Sequence, residues 1–521
     1  MTSLDTLRKL LYKLKKEEIN SLINFLRYHQ KKSKYQPMKS IQLIELILND
    51  KGYSANDLQV TLYDHVNYGA FNKLINRLKD KIYEIILFDH NLEKSVSAKR
   101  NRVIFDIRKR LIQSEILFSR GMNDEIESFQ NKIIKKAKQY EVYDSLLEAL
   151  HSKQRYLGFR FGSIGHRKLK EEIEYYEDNR LATIRAREIF NSMTTKINFS
   201  ASPREYEVEL NDSIAILKND YKNTKSPTVG YYYFFLETER LQNCNNLIGS
   251  GKVLIQLKEL LENNTSIYTD NRMGYTLMNI SNNEILKFDF NNSIQNIKEA
   301  FNYYSDSIIN TSVVIELEFF SLFYMGKNDE AEKLIEELYH TSRSTNIPFL
   351  YGKRTYLFAC LKTLEGEYVR SNELLSEISE IAKDKEGWNI GKRILTIINR
   401  IETKDFESVD LQVQNLQKHI KRTLKTKHVR KRDILILRIL LKLINEQFDF
   451  SKVYKSRQRY FELLESDDAE YRWKIKSPEL ILFHEWFTSK VENRPYNHSA
   501  ALEKEKEKNV LIGANYLQKH E

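Results

Sequence analysis

One phrase recurs along this chain, and its spacing constrains the fold more than any other feature of the 521 residues. Gly326-Lys-Asn-Asp-Glu-Ala331 closes one helical stretch and opens another, and Gly121-Met-Asn-Asp-Glu-Ile126 does the same earlier in the chain. Looser versions stand at Gly366-Glu-Tyr-Val-Arg-Ser371, Lys404-Asp-Phe-Glu-Ser-Val409 and Phe448-Asp-Phe-Ser-Lys-Val453. Aligned on the small residue of each second helix (Ser293, Ala331, Ser371, Val409, Val453), successive units step by 38, 40, 38 and 44 residues. Three positions before each stand Phe290, Asn328, Tyr368, Phe406 and Phe450. The register predicts apolar first helices over 312–325, 353–364, 391–402 and 432–446, each followed by an amphipathic second helix. One such hairpin cannot bury both of its faces, so neighbours stack.

Breakers are scarce: 16 Gly and 6 Pro, about a third of the usual share. Long helices and short turns are the consequence. Pro37, Pro203, Pro227, Pro348, Pro478 and Pro495 all fall between apolar-periodic segments.

Ahead of the repeats, Leu7, Leu10, Leu11 and Leu14 share one helical face, as do Ile19, Leu22, Ile23 and Leu26. Further helices carry Ile41, Ile44, Ile47 and Leu48, then Phe71, Leu74, Ile75, Leu78, Ile82 and Ile85. Residues 1–95 are expected to form a basic helical bundle, with 95–102 connecting it to the next helices. Over 96–200 the spacing predicts paired helices at 126–140 and 143–156 and a charged spanning helix over 167–191, with a weak boundary at 193–204. A solenoid is expected over 201–490 and a charged tail over 491–521.

The repeat resembles the tetratricopeptide repeat, in which an aromatic residue ends the turn and a small residue follows where two helices approach. The likeness is closest over 230–465 and looser over 100–160. It departs in unit length, which is 34 residues in that family, and in lacking the first-helix Trp and Gly-Tyr signature. The whole chain also resembles a family of bacterial tetratricopeptide-like proteins with a basic N-terminal helical module, seen here in Lys73-Leu-Ile-Asn-Arg-Leu-Lys-Asp-Lys-Ile82. That family carries no established activity. The resemblance implies an all-α fold that holds a protein partner on the inner surface of a right-handed superhelix.

Composition excludes several classes. No run of 18 apolar residues exists, and the Leu/Lys/Arg-rich start lacks the uncharged core of a secretory signal, so a cytoplasmic protein without a membrane span is expected. Cys244 and Cys360 are too few for a metal cluster or a disulfide framework. Gly249-Ser-Gly-Lys252 lacks the earlier glycine and following Ser/Thr of a phosphate loop. His484-Glu485 has Thr488 where a zinc site needs its second His, and Gly162-Ser-Ile-Gly-His166 lacks the spacing and preceding strand of a nucleophile elbow. No catalytic residue, metal or cofactor is expected, and the chain does not read as an enzyme. The aromatics, 31 Tyr and 26 Phe, stand mostly at core spacing.

Net charge is +11, and residues 1–110 hold 22 Lys/Arg against 12 Asp/Glu, so the excess is nearly all N-terminal. Such a bias suits nucleic acid, an anionic membrane surface or an acidic protein, and equally a well-solvated surface. In the repeats, Lys353-Arg354, Lys392-Arg393 and Lys431-Arg432 stand 39 residues apart and are expected to head three successive first helices. Cations there oppose the helix dipole by about 0.3–1 kcal/mol each. The stretch 418–432, which includes Lys421 and Arg422, adds eight basic residues and no acidic one. Two outcomes are open: a basic ladder along one edge, or charges solvated or paired to Glu on adjacent helices. The leading expectation is a scaffold binding a protein partner, with an acidic segment favoured by the ladder. The alternative is a nucleic-acid-binding or regulatory protein using the N-terminal module and the ladder together.

Overall fold

The computed structural model describes residues 2–28, 38–49, 52–86, 96–199, 205–304, 308–345, 347–425, 429–468 and 470–508. Among them every regular element is helical, and they fall into two compact units, Met1–Arg102 and Val103–Glu521.

The first unit contains α1 (Ser3–Lys13), α2 (Lys16–Tyr28), α3 (Lys39–Asn49), α4 (Ala55–Tyr63) and α5 (Tyr68–Ile86). Two capping boxes set helix starts. Thr2 Oγ1 accepts from Asp5 N at 3.2 Å while Thr2 N donates to the Asp5 carboxylate at 2.9 Å, and Ser54 and Asp57 repeat the exchange ahead of α4. The leucine and isoleucine stripes meet in one core containing Leu7, Leu11, Leu22, Leu26, Ile44, Ile47, Ile75, Leu78 and Ile82, with α1, α2 and α3 packed on α5. Periodicity missed α4, which is nine residues long and buries only Leu58, Gln59 and Leu62. The expected connection at 95–102 is helical from Val96, where α6 (Val96–Ser119) begins.

In the second unit α6 is followed by α7 (Asn123–Gln139), α8 (Tyr143–Arg167) and α9 (Lys170–Phe199). A small core joins them through Ile107, Ile133, Ala137, Leu146, Leu150 and Ile173. The charged α9 is 30 residues long and serves two cores, since its Ala182, Ala186 and Met193 belong to the main one. The weak boundary expected from residue 193 is helical to Phe199.

Hairpins then stack in chain order: α10 (Glu207–Thr224), α11 (Pro227–Asn243), α12 (Leu247–Asn263), α13 (Asp270–Leu286), α14 (Phe290–Phe301), α15 (Ile308–Tyr324), α16 (Asn328–Thr345), α17 (Pro348–Leu364), α18 (Tyr368–Glu377), α19 (Trp388–Glu402), α20 (Phe406–Thr423), α21 (Lys431–Asn445), α22 (Phe450–Ser456) and α23 (Gln458–Leu464). Each helix packs on its successor, and one continuous core runs from Ala182 to Leu502, so the second unit is an α-solenoid. The second helices α14, α16, α18, α20 and α22 begin on Phe290, Asn328, Tyr368, Phe406 and Phe450, the residues named by the register. Ser293, Ala331, Ser371, Val409 and Val453 are all buried. The two serines are hydrogen-bonding nodes between hairpins. Ser293 Oγ lies 2.7 Å from Ser281 Oγ and 3.0 Å from Ser321 Oγ, and Ser371 Oγ accepts from Asn399 Nδ2 at 2.8 Å.

A single turn geometry joins the hairpins. Gly121, Glu141, Asn245, Phe288, Gly326, Gly366, Lys404 and Phe448 all adopt φ between 51° and 80°. In most of them the next residue's N–H reaches back five residues, as from Lys327 to Leu322 O (3.0 Å) and Asp405 to Arg400 O (2.8 Å). This is the Schellman closure of a helix. Only three of the eight carry glycine, so the glycine phrase marks a turn that packing imposes elsewhere on larger residues.

The chain then doubles back. Residues 471–482 run without helix across the first helices of the preceding hairpins. Lys476 donates to Asn282 on α13 and, through its backbone N, to Tyr324 Oη on α15 at 2.9 Å. Pro478 O accepts from Tyr356 Oη on α17 at 2.5 Å, Gly391 on α19 lies so close that a β-carbon would stand 2.3 Å from the same oxygen, and Glu479 pairs with Arg432 on α21. From there α24 (Phe483–Val491) packs on α22. The stretch expected to be a charged tail is helical over 498–508 and buries Ala501 and Leu502 in the main core; residues beyond 508 lie outside those described.

Candidate cation-lined groove

The three Lys-Arg pairs do not form one exposed row. Arg354 is 1% exposed and inserted between α15, α16 and α17, donating to Glu316, to Ser342 Oγ at 2.9 Å and to Ser312 Oγ at 2.9 Å. Its neighbour Lys353 pairs with Glu316 at 2.6 Å. Arg432 is 2% exposed: its guanidinium is bidentate to Glu479 at 2.5 and 2.8 Å, donates to Leu464 O and Tyr471 O, and lies 2.9 Å from His484 Nδ1. Lys431 pairs with Glu470. Nor do all the pairs head their helices, since Lys353 and Lys392 lie at least a turn inside α17 and α19.

The middle pair differs. Lys392, Arg393, Arg400, Lys418, His419 and Arg422 converge on a groove of about 470 Å³ between α18, α19 and α20, where Glu380 is the single carboxylate among the described residues. Glu380 Oε1 accepts from Arg422 Nη2 at 2.8 Å and Arg393 Nη2 at 3.2 Å, and His419 Nδ1 stands 3.7 Å away. Burial works against the Glu380 charge, but Arg422, Arg393 and His419 outweigh it and hold the carboxyl below its ordinary range. Arg422 is 68% exposed, and Lys418 and Lys421 are exposed with no partner among the described residues. Lys392 Nζ donates to the first carbonyls after α18, Ser379 O at 3.0 Å and Ile378 O. Burial, and then the Arg393 charge, push the Lys392 ammonium down to about 8. The same two causes lower His419, burial first.

Glu380 is held by a loop, 378–387, that replaces further turns of α18. Asn389 clasps Ile381 through two hydrogen bonds of 2.8 and 3.0 Å, and the Asp384 carboxylate accepts from Gly387, Trp388 and Asn389 N–H at 2.9 to 3.1 Å, capping α19. The loop also borders a larger cleft of about 1130 Å³, lined too by Glu207 and Arg240 of α10 and α11 and by Arg430 and Arg472. Glu380, His419 and Arg422 line both spaces.

No protein-family model and no curated protein matches the sequence. Among solved structures, the apo form of RapI aligns with 74% of this chain and 96% of its own at 12% identity and a TM-score of 0.41. A signal transduction ATPase with numerous domains from Pyrococcus horikoshii, with a tetratricopeptide repeat sensor, aligns over 80% of this chain at 10% identity and a TM-score of 0.41; the alignment spans 64% of that protein. The second unit, Val103–Glu521, is an α-solenoid of stacked helical hairpins. Its own hairpins carry that description, through the small buried residue of each second helix and the stacking of each hairpin on the next.

Within the solenoid, sequence reading picked out Lys392, Arg393 and Arg422 but not Glu380, the residue that organises them. Glu380 lies outside the 39-residue step and in a loop, where periodicity is silent. The two motifs that fell short of a phosphate loop and a zinc site have structural places. Gly249-Ser-Gly-Lys252 lies in the first turns of α12 behind an Asn246 cap, and His484 joins the buried Arg432–Glu479 group.

Proposed function

We propose that the protein is an interaction scaffold and that it takes an acidic segment of a protein partner in the groove between α18, α19 and α20. The observation that carries this reading is the Glu380 carboxylate held by Arg393, Arg422 and His419. It occupies, within the chain itself, the place an acidic side chain of a partner would take. The cleft beyond Glu380 leaves room for the segment to continue, with charged groups of both signs along its walls. The first helices α13 to α21 are less suited to a partner, because residues 476–479 already lie across them. Burial of Arg354 and Arg432 weighs against a nucleic-acid reading of the whole ladder. Phosphate contacts need cations that can reach the backbone.

A fluorescent oligo-glutamate peptide tests the reading by anisotropy. Replacing Glu380 by Gln frees the cations and should tighten binding, while R393A/R422A should weaken it about tenfold or more, the loss of about 1.4 kcal/mol or greater. If neither variant changes the affinity, or no peptide binds even to E380Q, the groove is not the site of an acidic segment. A partner recovered from lysate that is lost on nuclease treatment, and whose binding falls steeply with salt, supports the nucleic-acid alternative instead.

A further inference from the structure

Between Ala149 and Lys170 the sequence carries six lysines and arginines and no acidic residue. In the middle of that stretch α8 breaks. Gly162 takes φ 64° and ψ −151°, a conformation essentially confined to glycine, and the chain folds back on itself. Gly165 then lies against the preceding turn, where a β-carbon would stand 2.2 Å from Leu157 O. Gln154 Nε2 donates to His166 O at 3.1 Å and ties the base of the corner. Leu157 and Gly165 are buried beneath it.

What the corner presents outward is apolar. Phe159, Phe161 and Ile164 are 84%, 57% and 83% exposed. Single exposed hydrophobic residues are ordinary, but three within six residues on one corner make a patch. Around it stand Arg155, Arg160, Arg167, Lys168 and Lys170, all exposed. Arg160 donates to Tyr156 Oη and lies 5.4 Å from the Phe161 ring centroid, and Lys170 pairs with Glu174. Arg155, Arg167 and Lys168 have no side-chain partner among the described residues.

An apolar apex with cations around its base has the charge and shape of a surface that enters an anionic bilayer interface. Rings and an isoleucine reach below the headgroups there while guanidinium and ammonium groups stay at the phosphate level. A single-stranded nucleic acid would instead need aromatic platforms along a basic groove, and Ile164 offers no stacking face. No described helix is long and apolar enough to cross a membrane, so such contact is peripheral. We propose that the corner 157–166 is a reversible docking point for an anionic lipid surface. It is independent of the groove around Glu380.

Co-sedimentation of the full chain with phosphatidylcholine vesicles, with and without phosphatidylserine, tests this. Binding is expected on phosphatidylserine vesicles and should be about tenfold weaker or more on phosphatidylcholine alone. F159S/F161S/I164S should lose a similar factor while keeping its helical circular dichroism, because all three side chains are exposed. R155E/R167E/K168E, which keeps the apex, should lose the phosphatidylserine preference. Failure of the full chain to bind phosphatidylserine vesicles, or equal binding by the triple serine variant, overturns the proposal. So does a triple serine variant that instead loses single-stranded oligonucleotide binding, or a self-association seen by light scattering, which would assign the corner to nucleic acid or to a second copy.

Discussion

The pairs Lys392-Arg393 and Lys431-Arg432 are one repeat apart on successive first helices, yet they have opposite fates. Arg432 is sealed in an ion group with Glu479 and His484, while Arg393 faces an open groove and shares Glu380 with Arg422. The local sequence around the two pairs does not make this difference. Residues 471–482 cross the face of α21 and bring Glu479 onto Arg432, whereas the 378–387 loop stands beside α19 and leaves its arginine in contact with solvent. Equivalent positions in a solenoid share a backbone environment. Their electrostatics are set by whatever non-repeating chain passes over them.

Arg432 is where the contrast between the two pairs should be largest. R432A leaves Glu479 buried without its partner, so a loss of about 3–5 kcal/mol is expected, read as a large fall in the denaturant midpoint. R432M/E479Q, which removes both charges, should recover part of that loss. A small effect of R432A would mean that the ion group is more hydrated than its burial implies.

Next comes acid. Burial drives the His498 imidazole down to about 3, against Phe323 and Tyr324, where its ordinary value is 6.5. The folded state therefore binds fewer protons than the unfolded state between pH 6.5 and 3, and stability falls as pH drops through that window. The His498 share of the loss should be roughly 2 kcal/mol at pH 5 relative to neutral pH, and H498F should remove that share and leave the part due to His419, which burial also lowers. Urea titrations at pH 7 and pH 5 compare the two proteins directly.

On the groove side, the same truncation should hardly touch stability. R393A/R422A is expected to cost no more than about 1 kcal/mol by chemical denaturation, since the Arg422–Glu380 pair is largely exposed and burial of the Arg393 charge offsets what its own pair gains. A loss as large as that of R432A would erase the distinction between the two regions.

The smallest effect concerns Lys392. Its charged form is lost as pH rises through about 8, so affinity for an acidic peptide should fall roughly two- to fivefold between pH 7 and pH 9, the worth of one screened charge contact. K392M should bind more weakly at pH 7 and show a flat profile. A wild-type profile that is equally flat would place Lys392 outside the contact.

The solenoid was legible because its causes are local. Apolar spacing, a small residue at each close approach and an Asp or Asn ahead of a second helix all act within a few residues. Asp289, Asp405 and Asp449 each accept from a first-turn N–H in their turns. Phe290, Asn328, Tyr368, Phe406 and Phe450 accordingly begin their helices where the register placed them. The hairpin turns at Glu141 and Asn245 share the left-handed conformation of Gly326 without its glycine, and the glycine phrase could not mark them. Half of the candidate groove was visible as basic residues. The other half, Glu380, was a single carboxylate in an irregular loop.

Helix periodicity is written in neighbouring residues, so an all-α chain, a helical N-terminal unit and a stack of hairpins in a definite register could all be read along the sequence. Which of the repeated cations became structural, and which line a groove, was settled only when the chain folded. Burial of a charge depends on partners distant in the chain, 47 residues away for Arg432 and Glu479 and 194 for Lys476 and Asn282, and no periodic pattern encodes such meetings.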